Sequence, residues 1–378
     1  MTAQPAVPPT LPRYGEATLA DLATSLLASL GAGGPNPLGL SPASRACLLI
    51  IDGLGWELLR DHQAAAPFLS ELASTARPLS AGFPATTVTS LSSLGTGRPP
   101  GQHGMLGYQV AVPGQRKLLN ALRWDRKVDP VAWQPGSTIF ERAVKAGIAA
   151  FRVAPGAFRG TGLSVAAMRG ADYRVADSLG ALVAQSAVAL KESDRALVMT
   201  YYGKLDSTGH SCGCTSDAWR YQLGHVDKLA EQLASALPHG TVLHVTADHG
   251  MVDVSPQDRI DVDSTPELRE GVAMLGGEPR ARHVYARPGA AADVLAAWRE
   301  ILGARAWVAS RDEATQAGWF GEVAEHLMPR IGDVVAAPAG PWAMVATRAE
   351  PHESALIGMH GSLTMADQLV PHLVVAGT

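Results

Sequence analysis

Three segments of the sequence place a carboxylate just after an apolar, strand-like run. Asp52 follows LLII, Asp206 follows VMTYYGKL, and Asp248 follows LHVTA with His249 beside it. In open α/β sheets, functional sites form outside the carboxyl ends of the strands, so we expect these side chains at one edge. Carboxylates that meet there repel each other, and they require cations or hydrogen-bond donors.

Histidines supply the other candidate metal ligands. Asp206 and His210 lie four residues apart in DSTGH, so one helical turn would point both side chains the same way. His360 lies in the glycine-flanked segment GMHGSL. Aspartate and histidine are usual zinc ligands, and two zinc ions would neutralise the combined cluster. Each aspartate alone is more typical of a cap or turn, and His360 alone of an ordinary loop, but the joint pattern favours a metal site.

A run of hydroxyl residues in FPATTVTSL is the candidate source of a nucleophile. A threonine or serine at a helix N-terminus beside a metal ion can attack phosphorus, and the helix dipole and free N–H groups favour the phosphoryl anion. The residue types alone leave four candidates open, namely Thr86, Thr87, Thr89 and Ser90. A capping segment without a catalytic role is the alternative interpretation.

The elements that must position these residues alternate between strands and helices. Apolar runs predict buried strands at 47–51, 148–155, 195–203 and 240–248, a short strand at 77–83 and a final strand at 368–377. Helical periodicity covers intervening segments, which include 16–31, 56–74, 137–147, 177–193 and 216–237. This alternation predicts an α/β fold with a doubly wound, mostly parallel central sheet and helices on both faces.

The pattern changes between residues 272 and 345. A helical segment and short strands there, including the strand-like pair DVVAAPAG and WAMVATRA, predict a small α+β cap insertion. We therefore predict a flexible N-terminal lead over 1–14 and a catalytic core over 15–271 and 346–378. The cap over 272–345 precedes His360 in the chain and is well placed to shape substrate choice.

Composition narrows the function classes. The 378 residues carry a formal net charge of −4 and have no basic cluster, so we expect no nucleic-acid-binding patch. No apolar stretch reaches the roughly 18 residues that a membrane span needs. Three cysteines are too few for a disulfide framework, and the proline-rich N-terminus lacks signal-peptide features. We expect a cytoplasmic protein, with Cys212 and Cys214 as free thiols or a strained pair rather than a third metal site.

Five segments taken together resemble the alkaline phosphatase superfamily, and most closely its type I phosphodiesterase/nucleotide pyrophosphatase family. They are IIDGLG, FPATTVTSLSSLGTGRPPGQHG, KLDSTGH, TADHGM and GMHG, and they fall within residues 48–361. The resemblance implies an alkaline phosphatase-like core. It also implies a hydrolase of phosphate diesters or pyrophosphates that uses two divalent metal ions, most often zinc.

The resemblance also assigns roles to individual residues. One zinc ion would be held by Asp206, His210 and His360, and the other by Asp52, Asp248 and His249 together with Thr87. The family's F-P-x-x-T element places the nucleophile at Thr87, and the implied reaction is two in-line displacements through a phosphothreonine. Tyr108 stands where characterised diesterases carry a phosphate-binding asparagine, so it is a candidate substrate-binding residue.

Two other functions stay open. A phosphomonoesterase or a phosphonate hydrolase would use the same two-metal site, and a non-catalytic binding protein would keep only the fold. The expected partner is a small phosphate ester or nucleotide. The sequence identifies neither the leaving group nor the oligomeric state.

Overall fold

The computed structural model describes residues 5–376. Its longer strands are, in chain order, β1 (Arg45–Ile51), β2 (Ala149–Ala154), β3 (Asp172–Val175), β4 (Ala196–Tyr202), β5 (Thr241–Thr246), β6 (Val272–Glu278), β7 (Ala281–Ala286), β8 (Ala306–Ser310), β9 (Val334–Pro338) and β10 (His372–Ala376). Shorter strands cover Leu79–Ser80, Gln109–Ala111, Leu118–Asn120, Val252–Asp253, Arg259–Asp261, Ala343–Val345, Gly358–Met359 and Leu369–Val370.

The central sheet has six strands in the order β10-β5-β1-β4-β2-β3. Every neighbouring pair is parallel except β10 with β5, which is antiparallel. Residues 46–51 of β1 are all buried, as expected for a central strand that is covered on both faces. The predicted α/β fold with a mostly parallel central sheet is confirmed.

Helices connect the strands of this sheet. The longer ones are α1 (Leu19–Ser29), α2 (Thr87–Thr96), α3 (Leu179–Lys191), α4 (Lys204–Cys212), α5 (Asp217–Ala236) and α6 (Ala291–Leu302). Short α-helices cover Trp56–Asp61, Pro67–Ala73, Pro100–His103, Pro130–Trp133, Ile139–Lys145, Gly162–Met168, Pro266–Arg269, Arg311–Gln316, Pro351–Ala355 and Met365–Gln368. Single 3₁₀ turns or short 3₁₀ segments cover Gln63–Ala65, Gly156–Phe158, Pro256–Asp258, Gly303–Arg305 and Glu325–Arg330. Within residues 5–376, no helix has the length and apolarity to cross a membrane.

Prolines explain two places where the structure departs from the predicted elements. The continuous helix predicted over 56–74 is divided before Pro67, because proline lacks an N–H and disfavours a helical conformation in the preceding residue. The predicted final strand is divided at Pro371 into Leu369–Val370 and β10. The strand predicted over 77–83 is reduced to two residues.

The segment predicted as a cap contains a separate four-stranded sheet in the order β6-β7-β9-β8. Its apolar core includes Trp298 of α6, and also Val262 and Leu268, which precede residue 272. Both strand-like segments, DVVAAPAG and WAMVATRA, contain strands, namely β9 and Ala343–Val345. Ala343–Val345 pairs in parallel with Arg259–Asp261 instead of with β9. The division of the chain into domains stays a prediction.

The described part of the predicted N-terminal lead contacts the rest of the fold. The Thr10 N–H donates to the Leu363 carbonyl oxygen at 2.8 Å. The Tyr14 hydroxyl donates to the Trp319 carbonyl oxygen at 2.8 Å and accepts from the Phe83 N–H at 3.0 Å. These bonds tie residues 10–14 to three distant parts of the chain.

Candidate active site

Neighbouring strands carry two of the predicted ligands to one edge of the central sheet. Residue Ile50 of β1 lies opposite Tyr201 of β4 and Thr246 of β5, and all three strands run in parallel. Asp52 follows the end of β1 directly, and Asp248 follows the end of β5 after one intervening residue. The parallel register therefore brings both carboxylates to the same end of the sheet.

Helix α4 and the C-terminal segment bring a third carboxylate and two histidines to this edge. The helix begins just after β4, and Asp206 and His210 lie one turn apart on it. His210 Nε2 is 3.3 Å from Asp206 Oδ1. His360 Nε2 approaches the same oxygen to 3.9 Å.

The six side chains form two groups, in each of which three ligand atoms lie within 4.8 Å of one another. The first group is Asp206, His210 and His360, and the second is Asp52, Asp248 and His249. The groups lie side by side, because the rings of His249 and His360 stack with their centroids 3.6 Å apart. The structure brings all six predicted ligands together in the two predicted sets.

Backbone carbonyl groups orient the three imidazole rings. Nδ1 lies 2.7 Å from a carbonyl oxygen in His210, 2.9 Å in His249 and 3.0 Å in His360. An Nδ1–H that donates to a carbonyl leaves Nε2 with a free lone pair, which is the form that binds a metal. Each ring is therefore held with its Nε2 toward the carboxylates.

The carboxylate oxygens that face these nitrogens are buried without a hydrogen-bond donor. Asp52 Oδ1, Asp206 Oδ1 and Asp248 Oδ2 have no such partner among the described residues, although His249 Nε2 is 3.3 Å from Asp52 Oδ1. A buried carboxylate oxygen without a donor is costly, and a cation between these oxygens and the facing nitrogens would offset that cost. Each group supplies three carboxylate and imidazole ligands, which fits zinc with one position left open.

Burial and mutual repulsion change the pKa values in this cluster. Burial, followed by the charge of Asp52, raises the pKa of Asp248 to about 7 and holds the pKa of Asp206 well above its usual value. Burial opposes protonation of His249, but Asp248 and Asp52 hold the pKa of this imidazole well above its ordinary value. The protein alone retains protons here, and a divalent cation would displace them.

Neighbouring groups fix the aspartates in place. The Tyr201 hydroxyl donates to Asp52 Oδ2, and the Gly53 N–H donates to Asp248 Oδ1 at 3.2 Å. Gly250 follows His249 at a point where a Cβ would lie 1.8 Å from a backbone carbonyl oxygen. Only glycine fits there, so the backbone beside the ligands packs more closely than any other residue allows.

Helix α2 presents a hydroxyl and free N–H groups to the two groups of candidate metal ligands. It begins at Thr87, whose Oγ1 is 3.2 Å from His249 Nε2, and its N-cap Thr86 makes no side-chain cap bond. The first N–H groups of a helix have no intrahelical partner, so they can bind an anion. Among the other candidate hydroxyls, Thr89 donates to a backbone carbonyl and Ser90 is fully buried. Thr87 is the hydroxyl that reaches the ligands.

Two cavities meet at Thr87 and Asp206, which line both of them. The first cavity has a volume of about 480 Å³ and walls that include Leu163 and Leu182. The second cavity has a volume of about 390 Å³ and includes Tyr108. A phosphoryl group at Thr87 would therefore have space for an organic substituent on either side.

Residues 46–363 match the model of the family described as type I phosphodiesterase/nucleotide pyrophosphatase. The chain belongs to this family. The match covers most of the chain and includes both metal groups and Thr87. The family assignment predicted from the five sequence segments is confirmed. No curated protein matches this member of the family.

Solved structures share the fold of this family member. Murine ectonucleotide pyrophosphatase/phosphodiesterase 5, as an inactive variant in complex with AMP, is 19% identical with a TM-score of 0.68, and the alignment covers 87% of each chain. The human protein of the same name gives 19% identity, a TM-score of 0.66 and the same coverage. Phosphonoacetate hydrolase from Sinorhizobium meliloti 1021, in complex with phosphonoformate, gives 20% identity and a TM-score of 0.64, covering 88% of this chain and 90% of that one.

Tyr108 lies at the wall of the second cavity, but its hydroxyl has a partner from the protein. It donates to Glu353 Oε1 at 3.0 Å. Burial, the largest influence, raises the pKa of the phenol, and the Glu353 charge acts in the same direction, so the hydroxyl is neutral and can donate. A phosphate oxygen in this cavity would compete with Glu353 for that donor. The substrate-binding role of Tyr108 stays a prediction.

We expect Tyr108→Phe to lower kcat/KM for a phosphodiester by about threefold to tenfold, because one hydrogen bond to a charged oxygen would be lost. Glu353→Gln is the matched control. It keeps an acceptor for the tyrosine but removes the competing charge, and it should leave kcat/KM unchanged or raise it. Steady-state kinetics on purified variants measure both effects. Unchanged kcat/KM in Tyr108→Phe would make this tyrosine a packing residue.

Three residues near the site were not among the sequence predictions. Tyr201 holds Asp52, as described above. Glu278 is buried in the wall of the second cavity, where burial raises its pKa to about 7. Arg152 is buried in the wall of the first cavity. A single polar residue inside an apolar strand-like run was the signal available for Arg152 in IAAFRVAP. Glu278 gave no comparable signal.

Proposed function

We propose that this chain hydrolyses phosphate diesters or pyrophosphates, with Thr87 as the nucleophile and two divalent cations, best matched by zinc. The observation that carries this proposal is the position of the Thr87 hydroxyl. It lies at the N-terminus of α2, next to two groups of three metal-type ligands. The family to which the chain belongs is named for the same reactions.

The residues of this chain suit a reaction in two displacements. Thr87 Oγ1 would form a bond to phosphorus while the bond from phosphorus to the leaving oxygen breaks, and water would then hydrolyse the phosphothreonine and restore the hydroxyl. Bound cations would make the hydroxyl and the water more acidic and offset charge on the phosphoryl oxygens. The free N–H groups at the start of α2 would hold a phosphoryl oxygen throughout.

The charges in the second cavity favour a diester over a monoester. Of the described residues that line it, none is an arginine or a lysine, whereas Glu278 and Glu353 both are part of the wall. A monoester dianion carries one more charge than a diester, and that charge would face these carboxyl groups. The second cavity therefore suits a neutral or cationic substituent better than an additional phosphate charge.

Rates on two chromogenic esters test this proposal. With zinc present, we expect kcat/KM for bis(p-nitrophenyl) phosphate to exceed that for p-nitrophenyl phosphate by at least about tenfold. A preference for the monoester would favour the phosphomonoesterase alternative. If neither ester nor a phosphonate is turned over, although the chain binds metal, the protein is a non-catalytic member of the fold.

A further inference from the structure

The first cavity contains a buried cation that the proposed reaction does not use. Arg152 lies in the middle of β2, where its neighbours in sequence are apolar, and only 4% of its surface is exposed. It lines the first cavity together with Thr87 and Asp206. A guanidinium group is therefore part of the same space that opens onto the candidate nucleophile.

No carboxylate of the described residues neutralises Arg152. Its Nη1 donates to Ser164 Oγ at 3.3 Å, and its Cζ lies 5.8 Å from the centre of the Tyr173 ring. The ionisable groups that influence it most are the hydroxyls of Tyr173 and Tyr201, and burial raises the pKa of both, so they are neutral.

Two exposed charged residues of the cavity wall do not neutralise the arginine. Asp177 lines the cavity but is exposed, and its Oδ1 accepts the Gly156 N–H at 2.9 Å. Lys204 also lines the cavity and is exposed, so it adds a second positive charge. Arg152 and Lys204 are thus the two cations among the described residues of this wall, and its other carboxylates, Asp52 and Asp206, belong to the two candidate metal-ligand groups.

A buried cation without a counterion is costly, and proteins seldom keep one unless something pairs with it. The guanidinium group offers five N–H donors in a planar fork that matches the two oxygens of a carboxylate or phosphate. One protein acceptor accounts for only a part of these donors. The cost is offset when a ligand brings an oxyanion into the cavity.

We propose that Arg152 binds an oxyanion at the far end of the substrate group that occupies the first cavity. The substrate class is then a phosphate ester, pyrophosphate or phosphonate whose organic part ends in a carboxylate or a second phosphate. Leu163 and Leu182 would contact the carbon chain between the two anionic ends. This inference rests on the proposed function, since it assumes that the reacting phosphoryl group lies at Thr87.

Binding of unreactive phosphonates to a Thr87→Val variant in zinc buffer tests the subsite without turnover. The probes are propylphosphonate, 3-phosphonopropionate and 1,3-propanediphosphonate. Their four- and six-carbon homologues vary the distance between the phosphonate and the second anionic group. We expect isothermal titration calorimetry to give at least about tenfold tighter binding for a probe with a second anion than for its alkyl match. The carboxylate and diphosphonate series distinguish the two sources of the oxyanion.

Two variants separate a direct contact from a general charge effect. Arg152→Met in the Thr87→Val background should abolish the preference for a second anion while leaving alkylphosphonate affinity within about twofold. Lys204→Met removes the exposed cation of the same cavity and should keep most of the preference. Without ligand, Arg152→Met should melt at the same temperature or higher, because an unpaired buried charge is removed.

The subsite is overturned if no probe gains from a second anion, if the gain persists in Arg152→Met, or if no probe binds. A marked fall in melting temperature for Arg152→Met would instead make the arginine a structural residue. Turnover of bis(p-nitrophenyl) phosphate by the unaltered chain decides the proposed function separately. If the ester is turned over but a second anion does not tighten probe binding, only the subsite is rejected. If a second anion tightens binding but the ester is not turned over, only the diesterase activity is rejected.

Discussion

Replacing Thr87 by valine is expected to reduce phosphodiester turnover by at least about a thousandfold, which corresponds to roughly 4 kcal/mol of transition-state free energy. Valine keeps the shape of threonine but has no oxygen that can attack phosphorus. The hydroxyl lies 3.2 Å from His249 Nε2 at the start of α2, and no other candidate hydroxyl of this helix is placed in the same way. Steady-state kinetics on bis(p-nitrophenyl) phosphate measure the loss.

Two matched variants show whether the lost oxygen is the cause. Thr87→Ser restores a hydroxyl and should recover a substantial part of the activity. Thr89→Ala removes a hydroxyl that donates to the Met105 carbonyl oxygen at 3.0 Å, and it should keep turnover within about threefold. Thr87→Val itself should retain both metal ions and its melting temperature. Full activity in Thr87→Val would show that the nucleophile is Thr86 or a water molecule instead.

The grouping of the candidate metal ligands was predictable because their signals are local and of a type that parallel sheets bring together. Asp52 and Asp248 each follow an apolar run, and the ends of neighbouring parallel strands must meet. The sequence could not show that β1 lies between β4 and β5. However, any order in which these parallel strands are neighbours brings the residues after them to the same edge of the sheet. His360 lies in a short segment without periodicity, so the residues alone made it a candidate only as part of the joint pattern, and the resemblance to a family assigned it to the group of Asp206 and His210.

Other features depend on packing between segments that are distant in the chain, and no local sequence pattern predicts such contacts. Tyr108 and Glu353 are 245 residues apart, so their hydrogen bond has no sequence signature. The same holds for the position of Arg152 in the cavity wall, since the side of a buried strand that faces a cavity depends on the loops that cover it. The division at Pro67, in contrast, could have been predicted from the proline alone.

Elemental analysis of the purified chain is expected to find two divalent ions per molecule, and Asp248→Asn is expected to retain one. In this variant Oδ1 remains and can still accept from the Gly53 N–H. The amide NH2 replaces Oδ2, which has no hydrogen-bond partner, so the negative charge available to a cation is lost. Turnover should fall at least about a thousandfold. Asp253→Asn is the control, because Asp253 accepts from the Cys214 N–H at 2.7 Å and belongs to neither metal group.

Zinc affinity should also fall as the pH is lowered through about 7. Burial, together with the charge of Asp52, raises the pKa of Asp248 to about 7, and a proton must leave before this carboxylate can bind a cation. Below that pH the metal competes with protons, so affinity should drop by about tenfold per pH unit for each proton displaced. Competition with a chromogenic chelator at pH 6, 7 and 8 measures this. Affinity that is independent of pH, or a chain without metal that added zinc does not activate, would contradict the assignment of this cluster as a metal site.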